Sequence, residues 1–565
     1  MRPKDAVSSP PTVVPNSARP LHVPSLALAV TLGLLLSISP SAAAPDVGHS
    51  HRAATITMYG QPNTFSNWPG DTDRHGRTFR TVGIESWRPR PGQSMWPSEA
   101  IGGELITGGY AQSSNSLTPT ADHMAIGVFN PAKGAYRDIV IPTSNGSIRA
   151  VNPYDGVTGG AVVSDFVSLN DAGIEKVAFT SDVNYHRWSV PEYGLYPSLG
   201  FLTRDAHGEW QYNRTLSRTA QQLQDQNGAL GQTIFPTTND PYAISQTAFN
   251  GGMGSLAYLP ASGHLVIARY LDRSFVVLAL DGTIKGYYQN NVPDPTGGTW
   301  EPAPKWVEAD PSSTVGEERF FVQYDAYYTK DGRTSYHYPH QEFRFDSTQP
   351  DPMRAITPVT GGMNTDASGI RYGYGYYDAA GNLWTAGDRI GVFVKNQATG
   401  KRSLETSCTP PADYPSSGWM TTCGTREVLL EEGYDIRRDG YVQAFHEDTA
   451  TGTMLVSTSG GKVIPVDTTY AGGDLVAIAA RPLIDLQYLL LSATQEPPRH
   501  SSVAESRIDV ATRSLWTPIR SLIKGYKTQP PEVLHGWASR IDLDLLTKEV
   551  PAKKVGTRPA PAAPG

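Results

Sequence analysis

The stretch Gly361–Phe393 (GGMNTDASGIRYGYGYYDAAGNLWTAGDRIGVF) narrows the fold more than any other. It reads as one antiparallel unit. A strand over residues 370–377 meets a turn at Asp378–Gly381, a second strand passes through Leu383 and Trp384, and a turn at Gly387-Asp388 leads to a third strand from Ile390 to Val394. Glycine in each turn supplies a positive φ that a side chain resists. Gly251–Leu280 (GGMGSLAYLPASGHLVIARYLDRSFVVLAL) repeats the order, with its turn at Gly263 and strands at Leu265–Ile267 and Phe275–Leu280. Further copies start at Gly159-Gly160, with a turn at Gly173, and at Gly433, with Tyr441–Phe445, a turn at Gly452 and Met454–Val456. Weaker ones start at Gly102-Gly103, Gly297-Gly298 and Gly472-Gly473.

Taken at positions 103, 160, 252, 298, 362, 433 and 473, the starts are 57, 92, 46, 64, 71 and 40 residues apart. Intervals averaging about sixty residues suit four-stranded blades with one long loop each, so the expected fold is all-β, a β-propeller of five to seven blades of antiparallel strands. A large antiparallel sandwich or a β-helix is the alternative. Each blade of a propeller is stabilised by its neighbours, which lets most of 565 residues fold as one unit. The expected division is a signal peptide over 1–44, an N-terminal closing strand and loop over 45–100, the propeller over 101–515, a C-terminal extension over 516–550 and a disordered tail over 551–565. Thr55–Tyr59 is the candidate closing strand. The wide interval after residue 160 is explained by a surface helix over residues 213–228, with Leu216, Ala220 and Leu223 on one face and Gly228 as its C-cap.

Compartment follows from the first residues. Arg2, Lys4 and Arg19 precede an apolar run from Leu26 to Ile38 that is short for a bilayer span, and Ser41–Ala44 offers small residues for cleavage. The protein is expected to be secreted, cut after Ala43, with no integral membrane segment in the mature chain and no cysteine at the cut to carry a lipid. Cys408 and Cys423, the only two cysteines, lie in one Pro-rich loop and are expected to form a disulfide that staples it. A net charge of −7 leaves no basic stripe, so nucleic acid is not an expected partner.

A propeller brings loops from distant parts of the chain to one end of its channel, and a site is expected there. HExxH, GxSxG, P-loop and CxxC motifs are all absent. Glycoside hydrolysis needs one carboxylic acid to protonate the leaving oxygen and one carboxylate to attack or to activate water. Asp73, Asp165 and Glu192 are the catalytic candidates for that work, each also readable as a turn cap or solvated charge. Trp68 and Trp188 are candidates for stacking on sugar faces, while His186 and Tyr338 could contact substrate or serve as the base and acid of a polysaccharide lyase. Trp87, Trp96, Trp306 and Trp419 lie in similar contexts. Residues 71–76 faintly follow a calcium loop, but His75 stands at its fifth position and no Glu at its twelfth. No cofactor or metal is therefore expected.

The segments YYDAAGNLWTAGDRIGVF and AYLPASGHLVIARYLDRSFVVL resemble the blades of secreted bacterial propeller proteins, and the likeness extends over most of residues 101–515. The SxDxGxTW box of sialidase-like propellers is missing. The resemblance implies an extracellular protein acting on poly- or oligosaccharide, first as a glycan hydrolase; a polysaccharide lyase and a non-catalytic wall- or glycan-binding propeller are the alternatives.

Overall fold

The computed structural model describes residues 50–52, 54–56, 84–88, 97–108, 124–147, 150–151, 158–159, 162–171, 173–182, 196–235, 254–269, 273–289, 299–337, 340–359, 375–386, 390–396, 398–400, 426–430, 442–467, 476–477, 484–486, 501–503, 506–524 and 532–547. Among the described residues, seven sheets of four to six strands, built on antiparallel pairs, stand beside one two-stranded ladder of Ala150–Val151 with Thr158–Gly159. The innermost strands of the seven are Ser98–Ile101, Val162–Asp171, Leu256–Leu259, Thr299–Ala309, Gly375–Tyr377, Val442–Asp448 and Arg507–Asp509. Each of these packs on the next, and Arg507–Asp509 packs on Ser98–Ile101, so the series closes into a ring. The fold is a seven-bladed β-propeller, numbered here from the blade that begins at Ser98.

Within a blade the strands are joined by tight turns whose glycines carry the expected geometry. Gly173, Gly263, Gly381 and Gly452 have φ of 85°, 73°, 78° and 63°. The Gly102-Gly103 pair corrects the reading of the repeat: it forms the turn between Ser98–Ile101 and Glu104–Thr107, one strand later than a blade start. Gly472-Gly473 lies outside the described residues. Val476–Ala477 beyond it begins no blade; it adds a parallel edge to blade 5 beside Leu429 and Leu430. Ile484–Asp485 is the outer strand of blade 6, paired with Lys462-Val463.

Blade 7 joins the two ends of the chain. Ala54–Ile56 pairs with Ile84–Arg88, which pairs with Glu532–Asp542, which pairs with Ser514–Lys524. Strands beyond residue 516 thus stand inside the ring, where the sequence pointed to an extension. Trp87 stacks on Trp516 at 5.7 Å, Phe129 of blade 1 meets Trp87 edge-on at 5.5 Å, and the Arg540 guanidinium lies over both indoles while bonding Glu85. This Trp87 therefore fills a cleft between blades and presents no face to a sugar.

The core is distributed among the clefts between sheets. Ile126 and Ile141 of blade 1 mesh with Val177 and Phe179 of blade 2; Val277 of blade 3 meshes with Phe320 and Phe343 of blade 4; Trp384 of blade 5 meets Phe445 of blade 6. Burying one such side chain stabilises the fold by about 1.5–3 kcal/mol, which is why strand residues here are apolar on both faces. The cleft between blades 6 and 7 is bridged by polar groups instead: Ser457 bonds Ser506 at 2.7 Å and Arg513 pairs with Asp448 at 2.8 Å.

The helical insert is real but divided. Ala220–Gln226 is capped by Thr219 in a reciprocal box with Gln222, and a second helix, Gly228–Ile234, starts where a C-cap was expected. Gly228, at φ 57°, turns the chain between them. Leu223, Ile234 and Phe235 are buried with Phe201 and Leu278, so the insert seals the outside of the cleft between blades 2 and 3. Thr219→Ala should cost about 1 kcal/mol. The check is amide exchange, which should speed up over 220–226 with the global melting temperature little changed.

Candidate functional site

The inner strands present one polar side chain after another to their neighbours. Glu99 of blade 1 accepts the Ser168 amide of blade 2 at 3.2 Å, Asp165 of blade 2 accepts the Leu256 amide of blade 3 at 3.1 Å, and Ser255 Oγ accepts the Val307 amide of blade 4 at 3.3 Å. Farther round, the Tyr376 hydroxyl accepts the Glu447 amide at 3.3 Å, His446 Nε2 meets the Ser506 carbonyl at 2.5 Å, and Asp509 accepts the Gly103 amide at 2.5 Å. An inner strand has no partner on its channel side, and these side chains replace the missing strand-to-strand bonds.

Three inner strands carry a β-bulge. Ser164, Lys305 and Gln443 are each the extra residue, so the strand is re-aimed beside Asp165, beside Trp306 and beside Ala444. Between them lies a cavity of about 410 Å³ lined from all seven blades. Pro260, Pro311 and Val510, residues of the turns that leave the inner strands, also line it.

Among the described residues that line the cavity, Glu99, Asp165 and Glu308 carry carboxyl groups and Arg507 a guanidinium. Arg507 reaches away from its own blade: its Nη2 is 3.3 Å from Asp165 Oδ1, and its guanidinium lies 5.7 Å from the centre of the Trp306 ring. Burial pushes the Glu99 carboxyl up to about 7, against the opposing pull of Arg507 and the Ala100 and Ser168 amides. Burial also raises Asp165, opposed by the Arg507 charge, Ser255 and the Phe166 and Leu256 amides. Of the two carboxyl groups, Asp165 is the one in direct contact with the guanidinium. His446 is driven down to about 3, chiefly by burial and secondarily by Arg507, so it is neutral. Facing a carbonyl, its Nε2 must carry the proton, which leaves Nδ1 as an acceptor. Burial raises the Tyr376 phenol, and Glu308 is among the carboxylates that add to the shift.

Of the residues singled out from the sequence, Asp165 lies in this cavity with a nearly inaccessible side chain. Asp73, Glu192, Trp68, His186, Trp188, Tyr338, Cys408 and Cys423 lie outside the described residues, as do Trp96 and Trp419. Glu99, Arg507, His446, Glu308 and Tyr376 were missed. The available signal was parity: Trp306 and Glu308 are two apart on an inner strand and face the channel together, while Val307 between them is buried against blade 3. Among the described residues no three His, Cys, Asp or Glu side chains converge as a metal site.

No family model and no curated protein matches the sequence. Among solved structures, the chain is similar to Raptor of Chaetomium thermophilum at 10% identity and a TM-score of 0.37, covering 80% of this chain and 28% of that one. It is similar to the Dos1 propeller at 8% identity and a TM-score of 0.34, covering 81% and 93%, and to a streptogramin B lyase at 11% and 0.36, covering 81% and 97%. This chain thus spans under a third of the Raptor chain. The fold assignment stands on the closed ring of seven sheets.

Proposed function

We propose that the protein is a secreted glycan hydrolase working in the channel, with Glu99 as the acid that protonates the leaving oxygen and Asp165 as its carboxylate partner. One observation carries the reading: carboxyl groups from neighbouring blades face one cavity that also has an indole wall. An acid poised near neutrality can give up its proton at working pH, and a carboxylate beside a guanidinium can hold developing positive charge or activate water. Trp306 offers a ring for stacking on a sugar face. A cavity of about 410 Å³ has the size of a small-molecule pocket. Export fits the leader reading of residues 1–44 and would place the enzyme with extracellular glycans.

The lyase alternative draws less support from the described lining, where a polyuronate would meet the carboxyl groups of Glu99, Asp165 and Glu308 and an Arg507 already engaged by Asp165. The binding-module reading draws support from a different observation, since both Glu99 and Asp165 hold neighbouring blades together.

Release of reducing ends from a panel of neutral oligosaccharides separates the two. Glu99→Gln and Asp165→Asn should each lower turnover by about a hundredfold or more while leaving binding within a fewfold of the parent. A folded Glu99→Gln protein that retains full turnover would remove the assignment. Binding with no turnover on any glycan would establish the module.

A further inference from the structure

We propose that Tyr376 and His446 form a donor–acceptor pair in the channel wall that holds two neighbouring hydroxyl groups of one sugar ring. This rests on the hydrolase reading above and names its substrate class: neutral oligosaccharides whose ring in the cavity carries a free vicinal diol. The two side chains come from adjacent blades, both line the cavity, and their rings meet edge-on at 5.9 Å. Each is anchored by one bond and left with one complementary function. His446 donates its Nε2 proton to the Ser506 carbonyl, so Nδ1 is an acceptor, and no donor among the described residues meets it. Burial, reinforced by Arg507, keeps that ring uncharged, so the acceptor is not lost to protonation at working pH. Tyr376 is the converse case. Its hydroxyl oxygen accepts the Glu447 amide at 3.3 Å, while its own proton goes to no acceptor among the described residues. Burial, helped by nearby carboxylates, keeps the phenol protonated and able to donate. One sugar hydroxyl can donate to Nδ1 while its neighbour accepts from Tyr376; a ring lacking either hydroxyl leaves one of these groups without a partner.

The test measures calorimetric binding and reducing-end release by the full-length protein on tetramers of glucose, mannose and xylose, and on counterparts of each that lack the hydroxyl at carbon 2. At least one tetramer should bind, and its deoxy counterpart should bind about tenfold more weakly. His446→Gln keeps a side-chain N–H for the Ser506 carbonyl but moves its acceptor away from the Nδ1 position, and should weaken that tetramer about tenfold with little change in melting temperature. His446→Asn keeps an acceptor near Nδ1 and loses the Ser506 bond, so it should melt lower yet bind within a fewfold of the parent. Tyr376→Phe should weaken binding by about the same factor as His446→Gln, and in the combined variant the deoxy penalty should fall to within about twofold. Equal binding of a tetramer and its deoxy counterpart, or affinities that merely follow melting temperature across the variants, would overturn the inference. So would a failure of all three tetramers to bind. Should Tyr376→Phe fail to fold, the two His446 variants decide. Discrimination against the deoxy sugar without cleavage would remove the hydrolase reading and leave the pair standing; cleavage without discrimination would do the opposite.

Discussion

Arg507→Met is expected to destabilise the fold by about 3–5 kcal/mol near pH 8 and by much less near pH 5, because it strands two buried carboxyl groups without their cation. The sign follows from linkage. Glu99 and Asp165 both have folded values above the ordinary carboxylate range, so the folded protein holds their protons more tightly than the unfolded chain. Their contribution is complete below the unfolded values and is lost as pH rises through the folded ones, near 7 for Glu99. Removing the guanidinium moves those folded values higher still and carries the loss further into the alkaline range. Thermal melts of parent and variant across pH 5 to 8 measure the difference. A gap that stays constant with pH would mean that Arg507 contributes only packing. Arg507→Lys keeps the charge and should recover part of the stability without restoring the contact to both Asp165 and the Ser506 carbonyl.

A second large effect is expected at Gly200, on the third strand of blade 2. The residue stands directly opposite Phe179, and a Cβ added there would lie 2.0 Å from the edge of that ring. Both belong to a filled cleft, with Phe179 fully buried among Phe166, Val177 and Trp210. Gly200→Val should therefore cost about 3 kcal/mol, at the upper end for an overpacked core. Phe179→Leu alone should also destabilise. Combining it with Gly200→Ala should cost less than the two single changes added together, because the smaller side chain makes room for the added methyl group. Denaturant midpoints of the four proteins close that cycle. Additivity would show that ring and glycine are not in the contact described.

Much of the architecture was legible because turn chemistry repeats where strand chemistry drifts. Gly173, Gly263, Gly381 and Gly452 mark one turn in four different blades, since each needs a backbone geometry that L side chains resist. The blade count was harder. Blade 7 has no glycine at that turn: Arg513 occupies it with φ 47°, held by carboxylates of Asp448 and Asp544. Blade 4 spreads over an 11-residue and a 13-residue strand, which stretches the interval between glycines. The candidate site was less legible still. Glu99 and Arg507 lie 408 positions apart in sequence numbering, 99 against 507, and neither sits in a motif. What unites them is place in a ring, together with bulges at Ser164, Lys305 and Gln443 that change which side chains face inward. No local pattern distinguishes those three residues from their neighbours.

The bond from Arg540 to Glu85 spans 455 residues and ties the first described blade 7 strands to the last. A ribosome making this chain from the N-terminus must therefore deliver almost the whole polypeptide before Ile84–Arg88 meets its partner strand. Until then the early blades form an open arc whose exposed edges invite pairing with other chains. Nascent or prematurely terminated products should be the species that chaperones capture and that aggregate, whereas the released, closed ring presents no such edge at that seam.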